Sequence, residues 1–331
     1  MSGSAPDTSV GGDADGFPRR HRLDFKFEPI VDAKTGEKGV AVVLDPARYR
    51  VVEDADEPMV IDKLDHFAIP MREVQRMIDE AFSRTPTGQG QRLGSAREYI
   101  QRRREEIKKR LTDQTTPPHS FVDRSEEFLA QLPDGVHGFA VLSVDLVGST
   151  KLSNSLDAVT NARVVSVVLE EIAAVAPCFH AHILKFTGDG VLAYIPPPSF
   201  LTANDNAIDG ALTVRGLIRD AVNPTFAELG YPALDVRIGI ESGGAVAMTV
   251  GHVSSKRQRD LIGQTLNIAC KIQASGAPGE IRIGQVAYQN MHTMWKRGCD
   301  RAPTPAGWTY TLPDGGDYPL YIFTATGAIL K

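Results

Sequence analysis

The sequence predicts an α+β fold in which helices pack on one face of a mainly antiparallel sheet. The first observation is the order of apolar patterns in the second half of the chain, which reads strand, helix, two strands, helix, strand. The second observation is the composition, since 331 residues with 42% hydrophobic and 23% charged residues can bury an ordinary core. Together they indicate a sandwich of the ferredoxin-like kind, preceded by a smaller N-terminal segment.

Charge and hydropathy restrict the partners that the chain can have. A formal net charge of −5 gives no global reason to expect binding to nucleic acid or to an anionic membrane. The sequence has no apolar run of about 18 residues that could cross a bilayer, and its beginning lacks the order of a secretory signal. We therefore expect a cytoplasmic protein without a nucleic-acid or membrane partner.

Residues 21–120 are predicted to form a small N-terminal α/β segment with a linker helix. They follow residues 1–20, whose small, polar and glycine-rich composition is typical of a flexible tail. Short alternating apolar pieces between residues 23 and 60, such as GVAVVLD, predict a few strands. Apolar residues at helical spacing over residues 71–82 predict an amphipathic helix that packs on another part of the protein.

A second helix is predicted after Ser95, because serine caps helix N-termini. Glutamates occur beside arginines and lysines at three- and four-residue spacings in SAREYIQRRREEIKKRLTDQ, which predicts a solvated helix. We do not expect its run of cations to bind nucleic acid, since the anions are interleaved and no aromatic stacking partners accompany the run. The sequence TTPPHS at residues 115–120 predicts a linker to the second half of the chain.

The second half begins with a short helix at residues 125–132 and a buried strand, FAVLSV, that ends in Asp145. A long helical pattern follows the sequence LVGST. The stretch LKFTGDGVLAYI then predicts a hairpin, with Asp189 between two glycines at its tip. A helix over residues 207–222, the strand DVRIGIESG, a helix that begins near Thr265 and the strand EIRIG complete the pattern.

The two aspartates are candidate metal ligands. In a ferredoxin-like sheet the hairpin tip lies beside the end of the buried strand, so Asp145 and Asp189 are expected to lie together. Mg²⁺ and Mn²⁺ prefer such hard oxygen ligands and take phosphate oxygens to complete their shell. Gly148, Ser149 and Thr150 open the next helix, whose free backbone N–H groups can face a phosphate chain. An aspartate in a glycine-rich turn and a Gly-Ser-Thr helix start are each common for local structural reasons. Their occurrence together indicates a site for a metal and a triphosphate.

Four motifs resemble one family in their order and spacing. They are VLSVDLVGSTKLS, LKFTGDGVLAYI, DVRIGIESGGAVA and DLIGQTLNIACKIQASGAPGEIRIG. In these motifs the chain is similar to the catalytic domain of class III nucleotide cyclases, over about residues 136–323. We therefore expect a cyclase catalytic domain at residues 136–325 that converts a nucleoside triphosphate into a 3′,5′-cyclic nucleotide and pyrophosphate.

The resemblance implies roles for particular residues. Asp145 and Asp189 match the aspartates that hold two divalent metal ions, Mn²⁺ or Mg²⁺, with the carbonyl of Leu146 as a further ligand. Asn267 matches the asparagine that positions the ribose. Lys271 stands where the family usually has an arginine that stabilises charge on the phosphates, and a lysine supplies the charge without a bidentate fork. The family works as a head-to-tail pair of catalytic domains, so the resemblance also implies a homodimer with active sites at the interface.

The residues leave open which base is accepted. Lys185 and Asp260 match positions that read the adenine edge in adenylate cyclases, and cytosine offers the same ring acceptor beside an amino group. A lysine can also donate to a carbonyl while an aspartate accepts from a ring N–H, which leaves UTP open.

A second resemblance, to the bacterial pyrimidine cyclases of antiphage defence, rests on the DLIG…NIACKIQ motif with lysine in place of arginine and on the compact N-terminal segment. It implies cyclic UMP or cyclic CMP as a signal for a separate effector protein. The alternatives are an adenylate cyclase and, in another class, an inactive cyclase-like module for nucleotide binding or dimerisation.

Overall fold

The structure of the chain is a computed structural model. It describes residues 23–31, 38–53, 57–64, 66–83, 93, 95–113, 116, 124–196, 203–251, 258–312 and 315–325. The predicted tail at residues 1–20 and most of the predicted linker at residues 115–120 lie outside the described residues. Within the described part of the chain, no helix is both long and apolar enough to cross a bilayer.

The strands of the described residues are numbered in chain order. They are β1 (Phe25–Val31), β2 (Lys38–Leu44), β3 (Tyr49–Val52), β4 (Met59–Asp62), β5 (Ala68–Pro70), β6 (Gly135–Val147), β7 (His182–Phe186), β8 (Gly190–Ile195), β9 (Asp235–Val250), β10 (Gln258–Ile262), β11 (Ile281–Gly284), β12 (Cys299–Arg301) and β13 (Leu320–Phe323).

The helices are α1 (Met71–Ser83), α2 (Ala96–Thr112), α3 (Ser125–Gln131), α4 (Ser149–Ser155), α5 (Ala158–Val175), α6 (Ala203–Leu217), α7 (Asn223–Leu229), α8 (Gln264–Ala274), α9 (Gln285–Gln289) and α10 (Thr293–Lys296). The long helical pattern predicted after LVGST is therefore two helices. They separate because the Asp157 side chain accepts hydrogen bonds from the backbone N–H groups of Val159 and Thr160 and so caps a new helix.

One large sheet organises the second half of the chain. Its strand order is β12-β13-β11-β9-β6-β8-β7, and β10 pairs with the far end of β9. Strands β9, β6, β8 and β7 pair with one another in antiparallel fashion, with the connecting helices that the ferredoxin-like arrangement requires. β11 pairs with β9 in parallel. The predicted α+β fold is confirmed.

The prediction that helices lie on one face of this sheet is wrong. Ile238 and Ile240 of β9 pack in the main core with residues of α5 and α6. A Cβ atom on Gly239 would project from the opposite face of the sheet and would lie 2.3 Å from the Ala269 carbonyl oxygen of α8. Alternating strand residues therefore contact helices on both sides, and glycine at 239 is required for α8 to approach the sheet this closely.

The predicted solvated helix after Ser95 is also buried along one side. The Ser95 side chain caps α2 as expected, by accepting a hydrogen bond from the Glu98 backbone N–H. Ile107 and Leu111, however, are almost fully buried in the main core. The charge pattern predicts exposure to solvent, but Arg103 of α2 instead forms a bidentate ion pair with the buried Glu171 of α5, at 2.6 and 2.7 Å. A charge that is paired across two helices does not need solvent.

The N-terminal segment forms two small sheets that the sequence predicts only as a few strands. One sheet contains β1 and β2, and the other has the order β3-β4-β5. The small hydrophobic core of this segment consists of Leu23, Tyr49, Val60, Ile69 and Val74. The segment contacts the large sheet's domain through Asp24, whose carboxylate accepts hydrogen bonds from the backbone N–H of Thr293 at 3.1 Å and from its hydroxyl group.

Glu241 is a fully buried carboxyl group on β9. It accepts hydrogen bonds from the Tyr318 hydroxyl at 2.5 Å and from the backbone N–H groups of Ser242 at 2.8 Å and Ala287 at 3.1 Å. Loss of hydration outweighs these three donors and raises the pKa of Glu241 from its ordinary value of 4.5 to about 7. The carboxyl group thus connects β9, α9 and the C-terminal segment.

We expect Glu241→Gln to remove part of the pH dependence of stability. Between pH 4.5 and 7 the unfolded chain loses this proton while the folded protein keeps it. The free energy of unfolding of the native protein should therefore fall as pH rises through this window, by roughly 3 kcal/mol from this group. Urea unfolding at pH 5, 6 and 7 should show the stability of Glu241→Gln relative to the native protein rising with pH. A constant difference would contradict the assignment.

Candidate active site

The backbones of Asp145 and Asp189 lie side by side. Asp145 is near the end of β6, and its cross-strand partner on β8 is Gly190, the residue that follows Asp189. The backbone N–H of Leu146 donates a hydrogen bond to the carbonyl oxygen of Asp189 at 3.2 Å. Strand pairing thus brings together the backbones of two aspartates that are 44 residues apart in the sequence (189 − 145).

The two glycines that flank Asp189 are each required, for different structural reasons. Gly188 has a φ of +79°, a left-handed conformation that non-glycine residues rarely adopt. A Cβ atom on Gly190 would lie 2.7 Å from both the Val144 carbonyl oxygen and the Thr187 hydroxyl oxygen. The Gly-Asp-Gly sequence therefore holds a tight turn directly against β6, with Asp189 half-buried at its tip.

Ser149, at the start of α4, contacts the Asp189 carboxylate. Gly148 precedes the helix with a φ of +98°, which is again a conformation for glycine. The Ser149 hydroxyl donates a hydrogen bond to Oδ2 of Asp189 at 2.6 Å. Thr150 is exposed in the first turn of α4. The predicted phosphate-facing residues therefore lie next to the aspartate pair.

Arg237 of β9 is a site residue that the sequence reasoning missed. Its register partner on β6 is Asp145, and its guanidinium group donates to Oδ2 of Asp145 at 2.5 Å. The sequence shows Arg237 only as a polar position in the alternating strand DVRIGIESG. The signal that would have identified it is the pairing of β6 with β9, which local patterns do not contain. An arginine here can bind phosphate oxygens with two parallel N–H groups.

Lys185 and Asp260 form a second group. Lys185 is on β7, Asp260 is on β10, and Nζ of the lysine lies 3.1 Å from Oδ2 of the aspartate. Both side chains are partly exposed, so they can contact a ligand from solvent. The structure thus joins the two residues that were predicted to read a base, which are 75 positions apart.

Asn267 and Lys271 form a third group on α8. They are one helical turn apart, and both are exposed on the same side of the helix. Nζ of Lys271 lies 5.3 Å from the ring centroid of Tyr310, a cation–π contact to a residue of the C-terminal segment. Within the described part of the chain, no hydrogen bond or ion pair joins Asn267 or Lys271 to Asp145 or Asp189.

The aspartate group is suited to cations that are shared with a ligand. No cluster of three or more His, Cys, Asp or Glu side chains that could hold a metal occurs among the described residues. Two carboxylates with a neighbouring carbonyl are too few oxygens for a complete shell. They fit Mg²⁺ or Mn²⁺ when phosphate oxygens and water supply the other ligands.

The chain matches a known family over half of its length. The family model described as the adenylate and guanylate cyclase catalytic domain matches residues 135–301. Two curated relatives, guanylate cyclase beta of Plasmodium falciparum and of Plasmodium berghei, are each 26% identical over 55% and 56% of this chain. Those matches cover 6% of each Plasmodium protein, so the chain spans a small part of the length of these relatives.

A solved structure has the same fold. The adenylyl cyclase CyaB from P. aeruginosa superimposes with a TM-score of 0.52 and 20% sequence identity. The superposition covers 60% of this chain and all of that one. At this identity the likeness concerns the fold, and it agrees with the arrangement of the large sheet described above.

Proposed function

The chain belongs to the adenylate and guanylate cyclase catalytic domain family, and from this premise we propose that it converts a nucleoside triphosphate into a 3′,5′-cyclic nucleotide and pyrophosphate. The observation that supports the proposal is the pairing of Asp145 with the Gly-Asp-Gly turn, whose Asp189 carboxylate accepts a hydrogen bond from Ser149 at the start of α4. In the proposed reaction the ribose 3′ oxygen attacks the α-phosphorus, and the bond from that phosphorus to the bridging oxygen of pyrophosphate breaks.

The side chains divide into three roles in this proposal. Asp145, Asp189 and the Leu146 carbonyl would hold two divalent cations, which when bound supply charge neutralisation at the triphosphate and acidify the attacking hydroxyl group. Arg237 lies beside Asp145 and can bind the phosphate chain as a fixed cation. Asn267 orients the ribose, and Lys271 opposes negative charge that grows on the phosphates during bond breaking.

We further propose that the active protein is a homodimer. Val136, Met248, Val250 and Ile262 are apolar residues with exposed fractions between 40% and 48%. Strand pairing places all four on one face of the ribbon formed by β9, β10 and the start of β6, together with Asp260, which is opposite Met248. An exposed apolar face of this kind is typical of a protein interface.

The dimer would complete the site. Since the α8 residues have no bond to the aspartates of their own chain, a second copy is the natural source of Asn267 and Lys271 at each metal site. The base-reading pair would come from the same copy, because Asp260 is on the apolar face.

A pyrimidine nucleotide is the substrate that we propose, with cyclic CMP or cyclic UMP as a signal for a separate effector. The ion pair of Lys185 and Asp260 supports this, because the lysine can donate to the ring acceptor of cytosine while the aspartate accepts from the neighbouring amino group. The resemblance in the α8 motif supports a pyrimidine over a purine. ATP is the second candidate, favoured by the same ion pair, since adenine has the same acceptor beside an amino group.

The experiment that tests this function is incubation of the purified chain with ATP, GTP, CTP and UTP together in the presence of Mn²⁺. Mass spectrometry then identifies the product, with authentic 3′,5′ and 2′,3′ isomers as standards. We expect cyclic CMP or cyclic UMP with release of pyrophosphate. Cyclic AMP alone would establish the second candidate. No cyclic product from any nucleotide would support an inactive module that binds nucleotides or dimerises.

Lys271→Ala should lower kcat by about a hundredfold and change KM by much less. The reason is that its charge acts on oxygens whose negative charge increases in the transition state. Initial rates over a range of substrate concentrations separate the two constants. Lys271→Arg should keep most of the activity, and Lys109→Ala, at an exposed lysine of α2, is the matched control. An unchanged kcat in Lys271→Ala would remove this residue from the site.

A further inference from the structure

The two residues proposed to read the base lie on strands that are not neighbours in the large sheet. Lys185 is on β7, at one end of the strand order, and Asp260 is on β10, which pairs with β9. Among the strands that the structure describes, β8, β6 and β9 separate β7 from β10 in the order of pairing. Strand pairing between β7 and β10 therefore does not fix the distance of 3.1 Å between the two side chains.

Helix α3 contacts both of these strands. The ring of Phe128 is stacked on the ring of His182 of β7, with a centroid distance of 5.1 Å and an interplanar angle of 18°. Leu129, the next residue of α3, is buried in the same hydrophobic cluster as Leu261 of β10. The helix thus connects the strand that carries the lysine with the strand that carries the aspartate.

Arg259 of β10 binds the C-terminal end of α3. Its Nε donates to the Leu129 carbonyl oxygen at 3.2 Å, and its Nη2 donates to the Leu132 carbonyl oxygen at 2.5 Å. Its Nη1 donates to the carboxylate of Asp134. The last carbonyl groups of a helix have no partner within the helix, so an arginine at this position supplies the missing donors. All three nitrogens of one guanidinium group therefore connect β10 to α3 and to the residues that follow it.

The position of Asp260 depends directly on the position of β10. Successive side chains of a strand point to opposite faces, so Arg259 and Asp260 project from opposite sides of β10. Oδ1 of Asp260 accepts a hydrogen bond from the Leu261 backbone N–H at 2.8 Å, and Oδ2 faces Lys185. Because this carboxylate is hydrogen-bonded to the backbone of its own strand, a shift of β10 relative to α3 would move Asp260 with it.

We propose that Arg259 is a positioning residue for base selection, and that it acts by holding β10 on α3 so that Asp260 keeps its place beside Lys185. The inference rests on the proposed function, because it takes Lys185 and Asp260 as the pair that reads the base. The ring acceptor and the amino group of a base have a fixed spacing, so a displaced aspartate loses its hydrogen bond to the preferred base. Selectivity then falls, whereas the proposed metal ligands on β6 and in the turn before β8 stay in place.

Arg259→Met removes the three donors and keeps an unbranched side chain. We expect the ratio of kcat/KM between the best and the next-best of ATP, GTP, CTP and UTP to fall at least about tenfold, mainly through KM. The amount of folded protein does not enter this ratio, so a loss of stability alone leaves it unchanged. Arg259→Lys keeps one donor group and should restore part of the ratio. Arg163→Met is the matched control, since Arg163 of α5 donates to the Leu111 carbonyl oxygen in the last turn of α2 at 2.6 Å, and it should keep the native ratio.

A binding measurement separates this inference from the proposed function. Calorimetric titration with the four 3′-deoxy nucleoside triphosphates, which cannot cyclise, gives the same selectivity as a ratio of affinities. A native chain that selects a nucleotide but forms no cyclic product would refute the proposed function alone, and the affinity ratio of Arg259→Met then decides the inference. The inference is overturned if the native chain binds the four nucleotides equally or not at all, if Arg259→Met keeps the native ratio, or if Arg163→Met lowers it as much. If Arg259→Met does not fold, a native ratio in Arg259→Lys overturns it.

Discussion

Replacing either Asp145 or Asp189 with alanine is expected to lower cyclic nucleotide production by at least about a thousandfold. The two carboxylates are the only acidic side chains that we place at the proposed metal site, and bound metal ions stabilise transition-state charge by several kcal/mol, at about 1.4 kcal/mol for each factor of ten. Product formation by mass spectrometry, at saturating nucleotide and Mn²⁺, measures the loss.

The controls for this prediction concern folding and charge. Both aspartates are partly exposed at the sheet edge, so neither substitution opens a core cavity, and thermal unfolding should stay close to that of the native chain. Asp220→Ala removes an exposed aspartate that pairs with Arg219 on the protein surface, and it should retain full activity. Substantial turnover in both the Asp145 and the Asp189 variants would refute the assignment of these residues as metal ligands.

Two inactive variants are expected to restore activity when they are combined. If the aspartates of one subunit work with α8 of the other, a dimer of one Asp189→Ala chain and one Asn267→Ala chain contains one site with both defects and one intact site. Random pairing makes half of the dimers mixed, and each mixed dimer has one working site of two. The co-expressed variants should therefore show about a quarter of native activity, whereas each variant alone is inactive.

A matched mixture makes this result specific. Asp145→Ala combined with Asp189→Ala places both defects in the same half of the site, so no mixed dimer has an intact site and the mixture should stay inactive. Recovery in this mixture, or no recovery in the mixture with Asn267→Ala, would contradict a shared active site. The first mixture also tests the homodimer directly, because a monomeric site cannot be complemented.

Local patterns were sufficient to predict the elements that carry the candidate site. The hairpin with Asp189 at its tip follows from an alternating apolar run on either side of Gly-Asp-Gly, and α8 follows from its helical spacing. Both patterns are contained in short stretches of sequence. The contact of Lys185 on β7 with Asp260 on β10, at 3.1 Å, was expected from a family resemblance and not from a local pattern.

Features that depend on distant contacts were not predictable. The contact of Arg237 with Asp145 joins residues 92 positions apart and depends on the register of β6 against β9. The burial of α2 depends on Glu171, 68 positions from Arg103, which turns an apparently solvated charge into a buried ion pair. The docking of the N-terminal segment depends on the hydrogen bond between Asp24 and Thr293, which are 269 positions apart. None of these pairings leaves a periodic signal in the sequence.

The central claim is that Asp145 and Asp189 together hold two divalent ions across a polyphosphate. Its most direct test is a Mn²⁺ titration followed by electron paramagnetic resonance, with a 3′-deoxy nucleoside triphosphate that binds but cannot cyclise. At limiting nucleotide, the native chain should bind two Mn²⁺ ions per nucleotide-occupied site, and Asp145→Ala and Asp189→Ala should each lose at least one. Equal Mn²⁺ stoichiometry and affinity in the native chain and both variants would contradict the claim.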